Sequence, residues 1–157
     1  MIFYFIICWL LGNFMTAQLL SRLRGQNMKE LGSGNVGARN AGRALGKYAF
    51  FLTVLGDGGK ALVAMAIGHI WALSPTVIAI GCVLCVIGHV WPFWLHFKGG
   101  MGVATCMSAM IFLTPLAFLT FFIGFLLCVA FTRSLTFAMV AGFATYAIGL
   151  LSLQSAA

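Results

Sequence analysis

The sequence predicts an all-α protein: a polytopic integral membrane helical bundle of about six transmembrane helices, in a single membrane domain over residues 1–157. Composition is the first reason, because 62% of the chain is hydrophobic, only 7% is charged, and the mean hydropathy is +1.08. Pattern is the second, because long apolar runs alternate with short polar stretches, as in proteins that cross a ~30 Å hydrocarbon core repeatedly. A water-soluble domain of this length could not bury so much apolar surface.

The apolar runs predict spans in order along the chain, at residues 2–20, 48–67, 76–95, 103–114, 116–132 and 135–153. Pro115 separates two of them, because a proline inside a helix removes a hydrogen bond and breaks the helix. One long tilted helix over residues 103–131 is the alternative. Arg22 and Arg24 directly follow the first run, and no cleavage-site pattern precedes it. We therefore expect an uncleaved first span with its N-terminus outside the cell and the following loop in the cytoplasm.

The charged residues argue against several classes of function. The formal net charge is +7, and six of the nine Lys and Arg residues lie between positions 22 and 47. The positive-inside rule accounts for such a cluster in a cytoplasmic loop, so we expect no nucleic-acid partner. Glu30 and Asp57 are the only acids, which argues against paired-carboxylate catalysis and against a Mg²⁺ or Ca²⁺ site. The five cysteines lie in apolar runs, where burial explains them, so we predict no metal and no cofactor.

A glycine-rich polar segment lies between the first two apolar runs. Its sequence is LGSGNVGARNAGRALGK, residues 31–47. Glycine lets consecutive backbone N–H groups converge on an anion, Ser and Asn add donors, and Arg supplies a permanent planar charge. We therefore predict a phosphate cradle beside the membrane. Its candidate residues are Gly32, Ser33, Gly34, Asn35, Asn40 and Arg43, supported by Arg39.

A second glycine-rich segment, HFKGGMGVAT at residues 96–105, follows the third apolar run. The predicted topology places it on the same side of the membrane as the first, where it can open a helix whose N-terminal amides face an anion. Glycine-rich turns between membrane helices are common, so the prediction of a second anion-binding segment rests on its location on the same side as the first. The candidate ligands are Lys98, Gly99, Gly100, Gly102 and Thr105.

Asp57 and Lys60 lie inside the second apolar run, three residues apart and therefore on one helical face. Ionisable groups at membrane depth are costly and usually face the protein interior. The pair either pins two helices together as a structural ion pair, or orients the glycine-rich loops from behind. The sequence does not decide between these roles.

These motifs resemble the bacterial acyl-phosphate:glycerol-3-phosphate acyltransferases, the PlsY family. The resemblance rests on GSGNVGARNAGR at 32–43, GDGGK with Asp57 and Lys60, and GHVWPFWLHFKGGMGVAT at 88–105, in the order and approximate spacing of the family. Arg133 begins a contracted form of the later R-x-x-S-L turn of the family. The resemblance implies an integral enzyme of the bacterial plasma membrane, with its glycine-rich loops in the cytoplasm. Such an enzyme would transfer an acyl group from acyl phosphate to the 1-hydroxyl of glycerol 3-phosphate, giving lysophosphatidic acid for phospholipid biosynthesis.

Carried onto this chain, the resemblance implies that Ser33 and Arg43 are critical for activity and that Asn35 and Asn40 shape the first loop. The second loop would bind glycerol 3-phosphate. His89 matches the G-H of the family, and an imidazole suits proton transfer at neutral pH. Two alternatives to a general-base role stay open. In the first, His89 is a hydrogen-bonded packing residue; in the second, the phosphate of the substrate accepts the proton instead.

The chain departs from the family pattern at two notable places. Met101 replaces a lysine of the motif G-G-K-G, and Arg39, where the family usually has Thr, is a candidate to restore the charge. The last predicted span ends near residue 153, so we expect the C-terminal helix and motif of the family to be missing. Two other classes therefore compete with the enzyme: a non-catalytic homologue that keeps the phosphate cradle, and a small anion transporter using Asp57 and Lys60. The oligomeric state is not predicted.

Overall fold

The computed structural model of the protein describes residues 1–155, with the side chain of residue 154 excepted, and these residues confirm the all-α prediction. Over that range the chain forms eight α-helices and two short 3-10 turns, at 28–30 and 93–95. Two compact units divide it, residues 1–109 and residues 110–157, and each is described by itself. The helices are α1 Ile2–Gly12, α2 Thr16–Arg22, α3 Ala38–Leu45, α4 Lys47–Ile70, α5 Pro75–Val90, α6 Val103–Leu113, α7 Pro115–Thr132 and α8 Leu135–Ser155.

The first predicted span is broken rather than continuous. Helices α1 and α2 meet at a 46° bend, where Met15 takes an extended backbone conformation as the N-cap of α2. The carbonyl groups next to such a break lose their helical partners and need other donors in an apolar environment. Asn13, Thr16 and Gln18 are buried here. Polar side chains within an apolar run are the local signal for this break.

In the first unit, α1 packs closely against α4 and α5. Glycines make the contact with α5: a Cβ at Gly12 would overlap the backbone of α5, and a Cβ at Gly88 would overlap the backbone of α1. Tyr4 is fully buried and its hydroxyl donates to the Ala64 carbonyl of α4 at 3.0 Å. Small residues at helix crossings allow this approach, which is how membrane helices gain packing energy where no hydrophobic force drives them together.

The second unit contains an antiparallel pair formed by α7 and α8. Thr120 and Thr145 exchange hydrogen bonds across the pair, each hydroxyl reaching the carbonyl of the other at 2.9 and 2.8 Å. Gly142 accommodates the ring of Phe121. The chain turns before α7 at Thr114 and Pro115, so the apolar run that the sequence divides at Pro115 is indeed broken there. The break follows from the missing proline N–H.

Four described helices are long and apolar enough to cross a membrane, or up to five when the bent pair α1 and α2 counts as one span. Helix α6, with 11 residues, is apolar but shorter than these. The third predicted span is helical only to Val90 before a 3-10 turn over Phe93–Leu95. A multi-pass membrane protein follows from these helices.

Candidate functional site

The glycine-rich loop of residues 31–37 is built around the side chain of Asn40, which is 2% exposed. The Oδ1 atom of Asn40 accepts a hydrogen bond from the backbone N–H of Ser33 at 3.0 Å. Its amide nitrogen donates to the carbonyls of Leu31 at 2.8 Å and Asn35 at 2.9 Å. Both amide hydrogens are therefore used inside the loop. Asn40 holds the shape of the loop, as the family resemblance implied, and the direct phosphate contact predicted for it does not fit this placement.

Ser33 lies between two glycines that have left-handed backbone conformations, Gly32 with φ 56° and Gly34 with φ 72°. A residue with a Cβ is strained in this region, so the two glycines let the chain turn on both sides of the serine. The backbone N–H of Ser33 is bonded to Asn40, whereas its side chain is exposed. The loop therefore presents the Ser33 hydroxyl outward, where a ligand can reach it.

Arg39 and Arg43 lie four residues apart on α3 and are both exposed. Residues at this spacing share one face of a helix, and two like charges there repel each other unless an anion lies nearby. Among the described residues no carboxylate forms a salt bridge with either guanidinium. This face of α3 is therefore suited to a phosphate group, which guanidinium groups bind with paired hydrogen bonds.

The second glycine-rich loop folds back onto the end of α5. The N–H of Gly99 donates to the Val90 carbonyl at 3.0 Å, and that of Gly100 donates to the His89 carbonyl at 3.2 Å. A Cβ at Gly99 would overlap the His89 carbonyl, and a Cβ at Gly100 would overlap the His89 ring at Nε2. Glycine is thus required at both positions, because the loop backbone lies too close to His89 to leave room for a Cβ atom.

His96 and Phe97 precede these glycines and both have positive φ, 54° and 58°. Each such non-glycine residue costs on the order of 1–3 kcal/mol and persists only where its surroundings fix it. The N–H of Phe97 is held by the Pro92 carbonyl at 3.0 Å, and that of Lys98 by the Leu95 carbonyl at 3.2 Å. Lys98 and Met101 are exposed, so the strained turn presents their side chains at the surface.

The two loops are joined through the residues that precede them. The Lys29 ammonium, which precedes the first loop, donates at 2.5 Å to the carbonyl of Leu95, the residue directly before the second loop. Leu95 also packs into a buried apolar cluster with Val36 of the first loop and with Met28, which precedes that loop. The structure therefore brings the two predicted segments together, and Lys29 is a contact that the sequence reasoning did not identify.

Asn13 at the α1–α2 bend anchors the 3-10 turn that leads into the second loop. Its Oδ1 atom accepts from the N–H of Phe93 at 2.8 Å, and its carbonyl accepts from the indole N–H of Trp94 at 2.8 Å. Asn13 is 4% exposed. An amide side chain inside the first apolar run was the available sequence signal for this role.

A buried polar network lies behind the loops and joins five helices, α1, α2, α4, α5 and α6. The Lys60 ammonium donates to the carbonyls of Gly12 at 3.0 Å and Phe14 at 2.8 Å, which are the groups left open by the α1–α2 break. Lys60 also lies 3.6 Å from Asp57, with both side chains 3% exposed. Asp57 accepts from the Thr16 hydroxyl of α2 at 3.1 Å. Of the two roles that the sequence left open for this pair, the contacts favour pinning helices together.

Thr105 belongs to the same network. It is fully buried, and its hydroxyl donates to the carbonyl of Asp57 at 2.8 Å. This bond ties α6 to α4. The phosphate contact predicted for Thr105 does not fit a side chain that is buried and directed at a helix backbone.

His89 completes the network and is 2% exposed. Its Nδ1 atom lies 2.6 Å from the Lys60 ammonium and 3.9 Å from the Asp57 carboxylate. Because an ammonium group only donates, Nδ1 accepts, and the neutral ring then carries its hydrogen on Nε2. In this arrangement Nε2 faces the second loop as a donor, and neither nitrogen is free to take a proton.

Arg133 lies in the second unit, at the C-terminal end of α7, where it is exposed with φ 52°. Its supporting role stays a prediction. Within residues 1–155, no three His, Cys, Asp or Glu side chains are grouped so that they could hold a metal ion.

The fold and these loops define a multi-pass membrane protein with two glycine-rich segments joined on the first unit. The chain belongs to the glycerol-3-phosphate acyltransferase family, whose profile it matches over residues 2–156. A glycerol-3-phosphate acyltransferase of Clostridioides difficile is 36% identical over 143 residues, which are 87% of this chain and 70% of that protein.

Two crystal structures of the integral membrane acyltransferase PlsY share the fold. Its glycerol 3-phosphate form superposes with a TM-score of 0.83, and its lysophosphatidic acid form with 0.82. Both are 29% identical to this chain and cover 97% of it, while this chain covers 76% of theirs.

Proposed function

We propose that this chain is an acyl-phosphate:glycerol-3-phosphate acyltransferase that makes lysophosphatidic acid for membrane phospholipid biosynthesis. One observation carries the proposal: the two glycine-rich loops are held together by the bond from Lys29 to Leu95 and by a shared apolar cluster. The exposed Ser33, Arg39, Arg43 and Lys98 lie on these joined loops and α3. Two phosphate-bearing substrates need such a surface, because a bimolecular acyl transfer depends on holding both in one geometry.

The reaction needs no protein nucleophile. Acyl phosphate is a mixed anhydride and is already activated. The 1-hydroxyl oxygen of glycerol 3-phosphate attacks the acyl carbon, the bond between that carbon and the oxygen bridging to phosphorus breaks, and inorganic phosphate leaves. The hydroxyl proton passes to a phosphate oxygen of the substrates. Arg43 and Lys98 neutralise the phosphate charge, and Ser33 donates a hydrogen bond to a phosphate oxygen.

His89 acts in this scheme as a positioning residue rather than as the general base. Its Nδ1 atom is occupied by Lys60, and Gly100 lies directly against Nε2. The ring therefore sets the position of the second loop from beneath. A phosphate of the substrates takes the proton in this scheme, because the imidazole has no free acceptor.

In this proposal the protein lies in the bacterial plasma membrane, with its glycine-rich loops on the cytoplasmic side and its N-terminus outside the cell. The cluster of cations that includes Arg22, Arg24 and Lys29 supports that orientation, because positive residues are retained on the cytoplasmic side. Both substrates are phosphorylated metabolites, which is consistent with the same side.

The function is tested by mixing the purified chain in lipid vesicles with acyl phosphate and glycerol 3-phosphate and measuring lysophosphatidic acid and inorganic phosphate. We expect equal amounts of the two products. Ser33→Ala removes the exposed hydroxyl and should reduce the rate about 100-fold, on the scale of losing a transition-state donor. Ser152→Ala is the matched control, since Ser152 is exposed on α8 and its hydroxyl donates to the Ile148 carbonyl of the same helix. No product above the Ser33→Ala background would make the chain a non-catalytic homologue.

Arg39 supplies in this proposal the charge that Met101 does not. Met101 is 64% exposed in the second loop and has no charge to offer a phosphate. The substitution Arg39→Thr should therefore raise the KM for glycerol 3-phosphate, and Met101→Lys should lower it again. If Met101→Lys increases activity while Arg39→Thr has no effect, Arg39 does not compensate.

A further inference from the structure

The end of α1 holds the turn before the second loop through four contacts. The Asn13 Oδ1 atom accepts from the N–H of Phe93 at 2.8 Å, and the Asn13 carbonyl accepts from the indole N–H of Trp94 at 2.8 Å. The amide nitrogen of Asn13 donates to the Trp9 carbonyl at 2.7 Å, and the rings of Trp9 and Phe93 stack with their centroids 5.7 Å apart. We call these four residues, Trp9, Asn13, Phe93 and Trp94, the clasp.

Asn13 is the member of the clasp that other residue types replace least well. It is 4% exposed and lies at the C-cap of α1, where water is not at hand to replace a lost partner. Its side chain accepts from one backbone group and donates to another. Turning the amide over would place a donor against the N–H of Phe93 and an acceptor against the Trp9 carbonyl. The clasp therefore needs an amide, held in one orientation.

The residues that directly follow the clasp are strained. His96 and Phe97 have φ angles of 54° and 58°, which non-glycine residues keep only where their surroundings fix them. The clasp fixes the start of this turn. Lys98 comes next, with an exposed side chain, and among the described residues no carboxylate pairs with its ammonium. The position of that ammonium therefore depends on the backbone of the strained turn.

We propose that Asn13 and Trp94 are positioning residues for phosphate binding. The clasp keeps the strained turn in place, and the turn holds the Lys98 ammonium where it pairs with the phosphate of glycerol 3-phosphate. This inference rests on the proposed function, which assigns that substrate to the second loop. Neither Asn13 nor Trp94 touches the substrate. When the clasp is lost, the strained residues relax to negative φ angles and the ammonium moves away from the phosphate.

The affinity for glycerol 3-phosphate tests this role at equilibrium, in the absence of acyl phosphate, by a phosphorus NMR titration with the purified chain in micelles. Asn13→Ala removes both side-chain bonds of Asn13 and should weaken binding about tenfold, on the scale of one to two net hydrogen bonds. Trp94→Phe removes only the indole bond and should weaken binding about three- to fivefold. Trp91→Phe is the matched control, because Trp91 lies in the same segment, is 53% exposed and is outside the clasp. It should change the affinity by less than about twofold.

A double-mutant cycle separates positioning from a general loss of structure. Lys98→Met alone should weaken binding about tenfold or more, since it removes a charged hydrogen bond to the phosphate. Adding Asn13→Ala to Lys98→Met should then change the affinity by less than about twofold, because the ammonium that Asn13 positions is already gone. Factors that multiply would overturn the proposal. Equal affinities of Trp94→Phe and Trp91→Phe would also overturn it, and that comparison does not need the Asn13→Ala variant to fold.

The binding measurement does not depend on turnover. A chain that makes lysophosphatidic acid, but whose Asn13 and Trp94 variants bind glycerol 3-phosphate normally, contradicts the positioning role alone. A chain that shows the expected binding pattern and makes no product contradicts the proposed reaction alone. In an active chain, Asn13→Ala should raise the KM for glycerol 3-phosphate and leave the KM for acyl phosphate unchanged. A rise in both KM values would indicate a general loss of structure and overturn the proposal.

Discussion

Lys60 and Asp57 form a buried pair, yet the structure predicts that removing one is far more harmful than removing the other. All three ammonium hydrogens of Lys60 have partners at hydrogen-bond distance: the carbonyls of Gly12 and Phe14 and the Nδ1 atom of His89. Asp57, at 3.6 Å, adds an attraction without being one of these three partners. Lys60 therefore serves first as the cap of a broken helix.

The substitution Lys60→Met keeps the length of the side chain and removes every one of these bonds. It leaves two carbonyls open in an apolar environment and a buried carboxylate without its cation, for which we expect a loss of about 3–5 kcal/mol in the free energy of unfolding. Asp57→Asn keeps an oxygen for the Thr16 hydroxyl and all three Lys60 bonds. Its lost attraction is offset by the relieved desolvation of the carboxylate, so we expect about 1–2 kcal/mol.

The assay is a denaturant titration of each variant in mixed micelles, followed by helix content. Lys47→Met at the exposed start of the same helix controls for the substitution itself. Equal losses for Lys60→Met and Asp57→Asn, or a larger loss for Asp57→Asn, would refute the capping role and make the ion pair the principal interaction.

Three further substitutions test the loops. Asn40→Ala removes three hydrogen bonds from the first loop and should lower the acyltransfer rate about 100-fold with helix content unchanged, as expected when a site loses its geometry. Gly100→Ala forces a methyl group against the His89 ring and should cost about 1–3 kcal/mol of stability, whereas Gly59→Ala, whose Cβ meets open space, should be tolerated. Lys29→Met removes one charged hydrogen bond between the loops and should raise the KM for glycerol 3-phosphate; an unchanged KM would show that the apolar cluster alone holds them.

Sequence patterns predicted the fold class and the two loops because each depends on local information. Apolar runs long enough to cross a bilayer predict helices without reference to any contact, and Pro115 breaks its helix through its own geometry. Gly32 and Gly34 have left-handed backbone conformations, which glycine adopts without strain, so the residue type itself indicates a turn. The family motif likewise identified Asn40 as a residue that shapes its loop.

The tertiary structure decided which polar groups face a ligand and which hold the scaffold. Thr105 looked like part of the phosphate loop, yet it bonds to a helix carbonyl far away in sequence. Asn13 and Lys29 belong to no motif, and their partners, Phe93 and Leu95, lie in the turn before the second loop. A side chain that must satisfy a distant buried group cannot be identified from its neighbours in sequence, because the group it satisfies becomes buried only when the helices pack.

The amino-acid sequence by itself determined that this chain is a helical membrane protein of the acyltransferase family with two glycine-rich loops. Only the tertiary structure decided that the first span is bent and that Lys60 caps the open carbonyls at the bend. It also placed the Nδ1 atom of His89 against the Lys60 ammonium and its Nε2 atom against Gly100 of the second loop. Helix formation follows from hydropathy along the chain, whereas the pairing of buried polar groups depends on which helices meet in an environment without water.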